Sequence, residues 1–385
     1  MANKQGRKLE QHIAVFGESG SGKTVLVSSF FGPYQEREAV RKHGLRVVAR
    51  DPGQGSALHR NYLGMRNSAR LPLPTRREGA SYTFDIRLES GRDNADQRQH
   101  RPEVTLVWHD YPGEWFEKTL SGVEEEARRL ETFRTLLGSD VALLLVDGQK
   151  LKDYQGEEER YLKSLFGNVQ RGLLTLKDPL LEKEGPLTQF PRIWVIALSK
   201  ADLWPDLDVY AFRDMLIDKA SEEIADLRDV ISSLLVDKAA LSVGEDFILL
   251  SSARFEVGSI DLTHRIGLDL ILPMASVLPL ERHRRWIRAK ALSHDVAKRL
   301  LDNAGPLATA AQAVALKVLP GKYKALALLV NSEMIDRVAE AGKEQLEGVK
   351  AEATERSDLL TATVAQFQLD LNAAEEGNVL FRSQR

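Results

Sequence analysis

The stretch Gly17-Glu18-Ser19-Gly20-Ser21-Gly22-Lys23-Thr24 decides the fold of this chain of 385 residues. It fits the pattern G-x-x-x-x-G-K-[ST], follows an apolar run that ends at Phe16, and leads into a helical pattern over residues 25–30. This order of strand, glycine-rich loop and helix is the context in which the pattern binds the phosphates of a nucleotide. We call residues 17–24 the phosphate loop, and all eight are candidate nucleotide-binding residues.

Each residue type in the phosphate loop has a chemical reason to be there. Gly17, Gly20 and Gly22 let backbone amides turn toward phosphate oxygens, and the start of the following helix adds partial positive charge. Lys23 is expected to reach the β- and γ-phosphates, and the hydroxyl of Thr24 is expected to bind Mg²⁺. The loop alone does not distinguish guanine from adenine nucleotides.

Short aliphatic runs alternate with longer amphipathic segments from residue 12 to about residue 253, which is typical of a sheet covered by helices. We predict strands in six of these runs: 12–16, 82–88, 104–108, 141–146, 193–198 and 247–250. The run 82–88 alternates apolar and polar residues and is followed by a polar loop, so we expect it to be antiparallel and at the sheet edge. The prediction is an α/β fold with a mostly parallel sheet and one antiparallel edge strand.

The motif Asp110-Tyr111-Pro112-Gly113 follows the predicted strand 104–108 and matches D-x-x-G. In that position Asp110 is expected to hold Mg²⁺ through a water molecule, and the backbone amide of Gly113 is expected to sense the γ-phosphate. Thr24 and Asp110 therefore form the predicted Mg²⁺ site.

Two more motifs bear on the base of the nucleotide. Ser199-Lys200-Ala201-Asp202 follows the strand 193–198, where a guanine-reading [NT]-K-x-D motif is expected. The Asp202 carboxylate can accept from N1 and the amino group of guanine, a donor pair that adenine lacks, while the stem of Lys200 covers the base. Ser251-Ser252-Ala253 matches the short loop whose amide contacts guanine O6. The candidate base-binding residues are Ser199, Lys200, Asp202, Ser252 and Ala253.

Together these motifs resemble those of the translation-factor-like (TRAFAC) class of P-loop GTPases over roughly residues 11 to 260. Within that class, Asp110-Tyr111-Pro112-Gly113-Glu114-Trp115 is similar to the D-Y-P-G-E-W form of the bacterial YcjX-like family. The resemblance implies a Ras-like fold, binding of GTP or GDP with Mg²⁺, and hydrolysis of GTP. Ser199 departs from the usual pattern, because Asn or Thr is common at that position.

The candidate catalytic residues are Lys23, Thr75 and Glu114. Thr75 lies between the phosphate-loop helix and the strand 82–88, where a switch threonine normally completes the Mg²⁺ shell. Many GTPases place a glutamine after D-x-x-G to orient the attacking water, but Glu114 stands there. Its carboxylate either accepts a hydrogen bond from that water or points to solvent. Since it would also repel the γ-phosphate, we expect slow turnover without a partner.

The domain prediction is a GTPase domain at 1–260, with a long basic insertion at about 32–81, and a helical extension at 261–385. From Arg41 to Arg77 the insertion carries nine Lys and Arg residues against one acid, Asp51. A solvated loop is the favoured interpretation; an arginine finger or a surface for nucleic acid or an acidic protein is the alternative. A second basic cluster, Arg282-His283-Arg284-Arg285 with Arg288 and Lys290, is expected on an exposed helical face rather than on a nucleic-acid track. The last helix carries a long apolar stripe that needs either the chain's own core or a protein partner.

Composition excludes several classes of protein. The chain has no cysteine, which rules out disulfides, thiolate metal sites and cysteine nucleophiles. Its apolar runs are far shorter than the roughly 18 residues of a membrane span, and residues 1–11 are too polar for a secretory signal. We therefore expect a cytoplasmic protein without a transmembrane segment.

The leading hypothesis is a GTP-hydrolysing switch whose C-terminal helical region carries the output to a protein partner. A P-loop ATPase or kinase is the second hypothesis, in which the segment from Ser199 to Asp202 has no role. The third is a scaffold that binds the nucleotide with negligible turnover, which Glu114 and the helical tail suggest.

Overall fold

The described residues form an eight-stranded mixed sheet with helices on both faces, and a two-stranded ribbon. The computed structural model describes residues 9–36, 44–72, 80–88, 104–110, 113, 123–184, 192–235, 241–256, 259–279, 281–282 and 356–383. The strands are β1 (Leu9–Phe16), β2 (Leu45–Ala49), β3 (Ala80–Leu88), β4 (Val104–Asp110), β5 (Val141–Asp147), β6 (Arg192–Ser199), β7 (Leu241–Leu249), β8 (Arg254–Glu256), β9 (Ser259–Asp261) and β10 (Leu380–Phe381). The helices are α1 (Lys23–Phe31), α2 (Pro52–Ser68), α3 (Val123–Leu137), α4 (Gly148–Asp153), α5 (Glu158–Glu184), α6 (Val209–Ser233), α7 (271–279) and α8 (Arg356–Glu376).

The strand order of the main sheet is β10-β7-β6-β5-β1-β4-β3-β2. Its five central strands, from β7 to β4, pair in parallel. The flanking strands β10, β3 and β2 each pair antiparallel with their inner neighbour. Every residue of β5 is buried, because a central parallel strand is covered by helices on both faces, and this explains its continuous apolar run. The predicted α/β fold with a mostly parallel sheet is confirmed.

Alternate residues of the central strands enter two separate hydrophobic layers. Ile13 and Val15 of β1 pack with Phe30 of α1 on one face, whereas Ala14 and Phe16 pack in the layer of α5 on the other. Helices α1, α7 and α8 cover the first face, and α3, α5 and α6 cover the second. None of the helices in the described part of the chain is both long and apolar enough to cross a membrane.

The run 82–88, which was predicted to be the edge strand, is the second strand from the edge of the sheet. It forms β3 and pairs antiparallel with β4 as expected, but β2 pairs with its outer side. Both β2 and α2 lie in the segment expected to be a long loop. Five residues are too few for a clear alternation, and glycines such as Gly53 and Gly64 weaken the helical pattern of α2. The helix forms because the Asp51 side chain caps it and because Leu58 and Met65 are buried.

The described residues after position 260 share the core and the sheet of those before it. Val364, Phe367 and Leu371 of α8 pack in the same layer as α1, so this part of the apolar stripe covers the chain's own core. The chain then returns as β10, which pairs with β7 through Leu380 and Phe381. The expected all-helical extension thus ends in a strand of the main sheet. Residues 283–355 lie outside the described residues, and the division at residue 260 stays a prediction.

The expectation that Arg282 lies on an exposed face is wrong. Arg282 is buried and its Nη2 lies 2.5 Å from Oδ1 of Asp246, on β7. The same Oδ1 accepts the backbone N–H of Ser383 at 3.0 Å, and Ser242 donates to the other oxygen at 3.1 Å. Burial raises the pKa of Asp246, while the Arg282 charge opposes that rise. This partner comes from a distant strand, so the local basic pattern could not indicate it.

We predict that Asp246→Ala lowers the free energy of unfolding by about 3–5 kcal/mol, because Arg282 then stays buried without the carboxylate that balances its charge. Urea unfolding measures the change. The matched control is Asp214→Ala, since Asp214 pairs with Arg213 at the surface and its side chain is 63% exposed. The control should lose less than about 1 kcal/mol. Equal losses in the two variants would contradict this role of the buried pair.

Candidate functional site

The phosphate loop joins β1 to α1 and is closed by the side chain of Lys23. Its Nζ donates to the carbonyl oxygens of Gly17 at 2.7 Å and Glu18 at 2.9 Å. Gly20 and Gly22 have φ angles of 83° and 91°, in the left-handed region that glycine adopts without strain. Gly22 is the N-cap residue of α1, so the loop leads directly into the helix. The expected strand, loop and helix are therefore present in that order.

The two residues of the predicted Mg²⁺ site lie together. β1 and β4 are parallel neighbours, with Val15 opposite Asp110, so the end of β4 lies beside the start of α1. The hydroxyl of Thr24 donates to Oδ2 of Asp110 at 3.2 Å, and Asp110 is fully buried. A hydroxyl and a carboxylate are oxygen ligands that Mg²⁺ accepts alongside substrate phosphates. Thr75, the third predicted ligand, lies outside the described residues.

Gly113 lies directly against the phosphate loop. A Cβ at this position would lie 2.2 Å from the backbone nitrogen of Ser19 and 2.3 Å from the carbonyl carbon of Glu18. Glycine is therefore the residue that fits this close approach. The structure thus places the glycine of D-x-x-G against the phosphate loop. Gly113 is expected to sense the γ-phosphate of a nucleotide bound by this loop. Glu114 and its neighbour Trp115 lie outside the described residues, so the role of Glu114 stays a prediction.

The two predicted base-binding segments also lie together, and Asp202 joins them. Its Oδ1 accepts the hydroxyl of Ser251 at 2.5 Å, and its Oδ2 accepts the backbone N–H of Phe255 at 3.3 Å. The backbone N–H of Ala201 donates to the oxygen of Leu250 at 3.1 Å. Ser251 was not among the predicted site residues, although its place before Ser252 was a signal. The structure shows that it orients the Asp202 carboxylate.

Ser252 and Ala253 follow in the same loop and are both buried. Ser199, at the end of β6, is also buried, and its hydroxyl donates to the carbonyl oxygen of Val146 at 3.2 Å. The short serine side chain thus contacts the neighbouring strand β5. Ser252 and Ala253 lie in the loop between Ser251 and Phe255, both of which contact Asp202. The contacts of Ser199, Ser252 and Ala253 with a base stay a prediction.

Asp147 is a residue of this site that sequence reasoning missed. It ends β5, one residue beyond the predicted strand, and its Oδ2 accepts from Nζ of Lys200 at 2.9 Å. Its Oδ1 caps α4 by accepting the backbone N–H of Gln149 at 2.9 Å. Lys200 has a left-handed backbone, with a φ of 55°, so the ion pair holds a residue in an uncommon conformation. An acid directly after a buried strand was the available signal.

His109 precedes Asp110 on β4 and is largely buried. Burial, with a smaller contribution from His12, lowers the pKa of His109 from 6.5 to about 4. One ring nitrogen lies 3.1 Å from His12 and the other lies 2.8 Å from the hydroxyl of Ser81. The imidazole is therefore neutral near neutral pH, and it adds no positive charge beside the predicted metal ligand.

The candidate site follows the carboxyl edge of the parallel strands. The phosphate loop follows β1, Asp110 ends β4, Asp147 ends β5, and Asp202 follows β6. Ligands bind at this edge in open α/β sheets, because loops from neighbouring parallel strands meet there. The arrangement combines a cation and a helix start for phosphate, two oxygen ligands for a metal ion, and a carboxylate for a base.

A family model described as Double-GTPase 2 matches residues 11–235, which is more than half of the chain. The matched region contains the phosphate loop, Asp110, Gly113 and the segment from Ser199 to Asp202. A curated protein, mannose-6-phosphate isomerase of Eremothecium gossypii, is 33% identical over 81 residues, or 20% of this chain. The chain spans only 19% of the length of that relative, so this match supports no family assignment.

Three solved structures are similar at low TM-scores. The signal recognition particle receptor SRb-GTP/SRX complex from Chaetomium thermophilum has a TM-score of 0.30 and 14% identity, covering 64% of this chain and 91% of that chain. Nucleolar GTP-binding protein 1 from Plasmodium falciparum has a TM-score of 0.31 and 13% identity, covering 77% of this chain and 97% of that chain. The S. cerevisiae Ski7 GTPase-like domain, bound to GTP, has a TM-score of 0.28 and 15% identity, covering 64% of this chain and 43% of that chain. The strand order of the main sheet by itself defines the fold of this chain.

We predict that Gly148→Ala lowers the free energy of unfolding by about 1–3 kcal/mol. An added Cβ would lie 2.6 Å from the oxygen of Ser199 and 3.0 Å from that of Lys200, so α4 would have to move away from the base-binding segment. Gly167→Ala in α5 is the control, because its Cβ would meet nothing within 4 Å. The control should raise stability by about 0.5–1 kcal/mol. A stabilised Gly148→Ala variant would contradict the close approach.

Proposed function

The chain belongs to the Double-GTPase 2 family, and on this premise we propose that it hydrolyses GTP to GDP and phosphate as a nucleotide-dependent switch. Membership of this family implies that the chain binds guanine nucleotides through its P-loop. One observation carries the proposal: Asp110 at the end of β4, the phosphate loop after β1 and Asp202 after β6 follow one another along one edge of the sheet. In a bound nucleotide the metal ion lies at the phosphates and the base lies at the opposite end, which matches this order of residues.

Guanine selection is assigned to Asp202. Ser251 and the backbone of Phe255 hold its carboxylate, which limits its rotation. An oriented carboxylate accepts from the N1 and amino donors of guanine and would face an acceptor on adenine. Lys200, held by Asp147, covers the base with its stem. Ser199, Ser252 and Ala253 complete this side of the proposed site.

Mg²⁺ is the proposed cofactor, held by Thr24 and Asp110 with Thr75 as a further ligand. Their contact at 3.2 Å supports this assignment, since both supply oxygen atoms. When bound, the ion neutralises charge on the β- and γ-phosphate oxygens. The chain itself supplies the Lys23 ammonium for the same phosphates, while the packing of Gly113 on Ser19 couples the D-x-x-G segment to the loop.

The hydrolytic step is proposed to be slow in the isolated protein. Glu114 stands where a water-orienting glutamine is common, and a carboxylate there repels the γ-phosphate. GTP with Mg²⁺ would order the segments of Thr75 and Asp110, and hydrolysis would release them. A protein partner at the C-terminal helical region, predicted at 261–385, is the proposed receiver of this change. The YcjX-like resemblance, a bacterial source and a cytoplasmic location belong to the same proposal.

Nucleic acid is not favoured as the partner of the basic residues at 41–77. Two of the described arginines already pair with acids nearby: Arg66 with Glu36, and Arg50 with Asp85 at 2.8 Å. Each such pair lowers the positive charge that a phosphate backbone would meet. Part of the positive charge of residues 41–77 is thus balanced by acids within the fold.

We predict that calorimetry finds GTP bound at least about 100-fold more tightly than ATP. Adenine lacks the two donors, N1 and the amino group of guanine, from which the oriented Asp202 carboxylate accepts. Lys23→Ala should abolish binding of either nucleotide.

Single-turnover assays of the wild-type protein should show phosphate release from GTP, at roughly 10⁻⁴ to 10⁻² per second without a partner. Equal affinity for ATP would support the ATPase alternative, and absence of any release would support the scaffold.

We predict that Asp202→Asn weakens GTP binding by about 10- to 100-fold and shifts the preference toward XTP. The amide presents a donor to the extra oxygen of xanthine, whereas it cannot accept from both guanine donors. Competition titrations with GTP and XTP measure the ratio. The control is Asp206→Asn, an exposed acid in the next turn, which should keep the wild-type preference. Unchanged selectivity in Asp202→Asn would contradict the assignment of the base reader.

A further inference from the structure

The phosphate loop of this chain contains an acid, Glu18. Within residues 17–24 the formal charges of Glu18 and Lys23 cancel, so the loop has no net charge of its own. A nucleoside triphosphate carries several negative charges, and a nearby carboxylate repels them, more strongly where burial reduces screening. The Glu18 side chain is 9% exposed, so water screens its charge poorly. Binding of a triphosphate therefore needs a compensating cation close to Glu18.

Lys150 is that cation. Its Nζ lies 2.8 Å from Oε2 of Glu18, although the two residues are 132 positions apart in the chain. Lys150 lies on α4, the short helix that begins at the end of β5, and its side chain is 36% exposed. The formal charges of Glu18, Lys23 and Lys150 then sum to +1. An ordinary surface ion pair contributes little, but here one partner is buried and belongs to the binding loop.

Tyr161 of α5 connects this ion pair to the base-binding side. Its hydroxyl accepts the backbone N–H of Asp147 at 2.9 Å. The same hydroxyl lies against Glu18: burial first, and then the Glu18 charge, raises the pKa of Tyr161 far above its ordinary value. Asp147 in turn holds Lys200. A continuous set of contacts thus runs from Glu18 in the phosphate loop, through Tyr161 of α5 and Asp147 of β5, to Lys200.

We propose that Lys150 is a positioning residue for triphosphate binding, which neutralises Glu18 and holds the phosphate loop against α4. The inference rests on the proposed function, because it assumes that the phosphate loop binds GTP. Lys150 acts through its ion pair with Glu18. Removal of the cation leaves a buried negative charge in the loop, and the cost grows with the charge of the nucleotide.

The test compares two lysines of the same helix. Lys150→Met should weaken GTP binding by about tenfold and GDP binding by about threefold, since GDP carries less charge. Lys152→Met removes the same charge from an exposed position on α4 and should change GTP affinity by less than about twofold. Isothermal calorimetry measures the affinities, and thermal unfolding confirms that each variant is folded.

A second variant separates electrostatics from simple structural damage. Glu18→Gln in the Lys150→Met background removes the uncompensated charge, so GTP affinity should return to within about threefold of wild type. Glu18→Gln alone should strengthen GTP binding, because Lys150 then adds its charge to the loop. The proposal is overturned if Lys150→Met binds like Lys152→Met, or if the double variant stays as weak as Lys150→Met. If wild type binds no GTP, the proposed function fails instead.

Discussion

Parallel pairing of β1 with β4 on one side and β5 on the other is the constraint on which the rest of the structure depends. Parallel neighbours end at the same edge, so the segments that follow them meet there even though long crossovers join the strands. The register places Val15 opposite Asp110, which brings that acid to Thr24 at the start of α1. The same pairing buries both faces of the central strands, and this requires the two helical layers.

The acids at this edge are each held by a donor from another strand end. Glu18 is held by Lys150, Asp147 by Lys200, and Asp202 by Ser251. Carboxylates in poorly hydrated positions are costly unless a cation or hydrogen-bond donor satisfies them. The contacts therefore do two things at once: they make burial of the acids tolerable, and they orient the side chains before any ligand binds.

A buried acid, Asp246, also stabilises the edge of the main sheet at which β10 pairs with β7. Asp246 on β7 binds Arg282 and the backbone of Ser383, so one carboxylate joins the strand, Arg282 beyond α7 and the C-terminal segment. β10 then covers β7, which would otherwise leave a row of unpaired backbone groups at the edge. The base-binding loop follows β7 directly. Its position is thus linked to contacts made at the end of the chain.

Sequence alone was sufficient for the features whose evidence is contiguous along the chain. The phosphate loop, Asp110 with Gly113, and the segment from Ser199 to Asp202 are short motifs, and buried parallel strands appear as uninterrupted apolar runs. It predicted the fold class and the residues of the candidate site for that reason. It did not locate β2 and α2, because five residues show little alternation and because glycines weaken the pattern of a helix that tertiary packing stabilises.

Only the tertiary structure decided which side chains meet. Asp147 and Lys200 are 53 positions apart, and Lys150 and Glu18 are 132 apart, so no local pattern could pair them. The burial of Arg282 has the same cause, since its partner lies on a distant strand. A motif specifies which atoms are available, because that depends on residue type and neighbours. The distance between charges depends on strand order and register, which the whole chain determines when it folds.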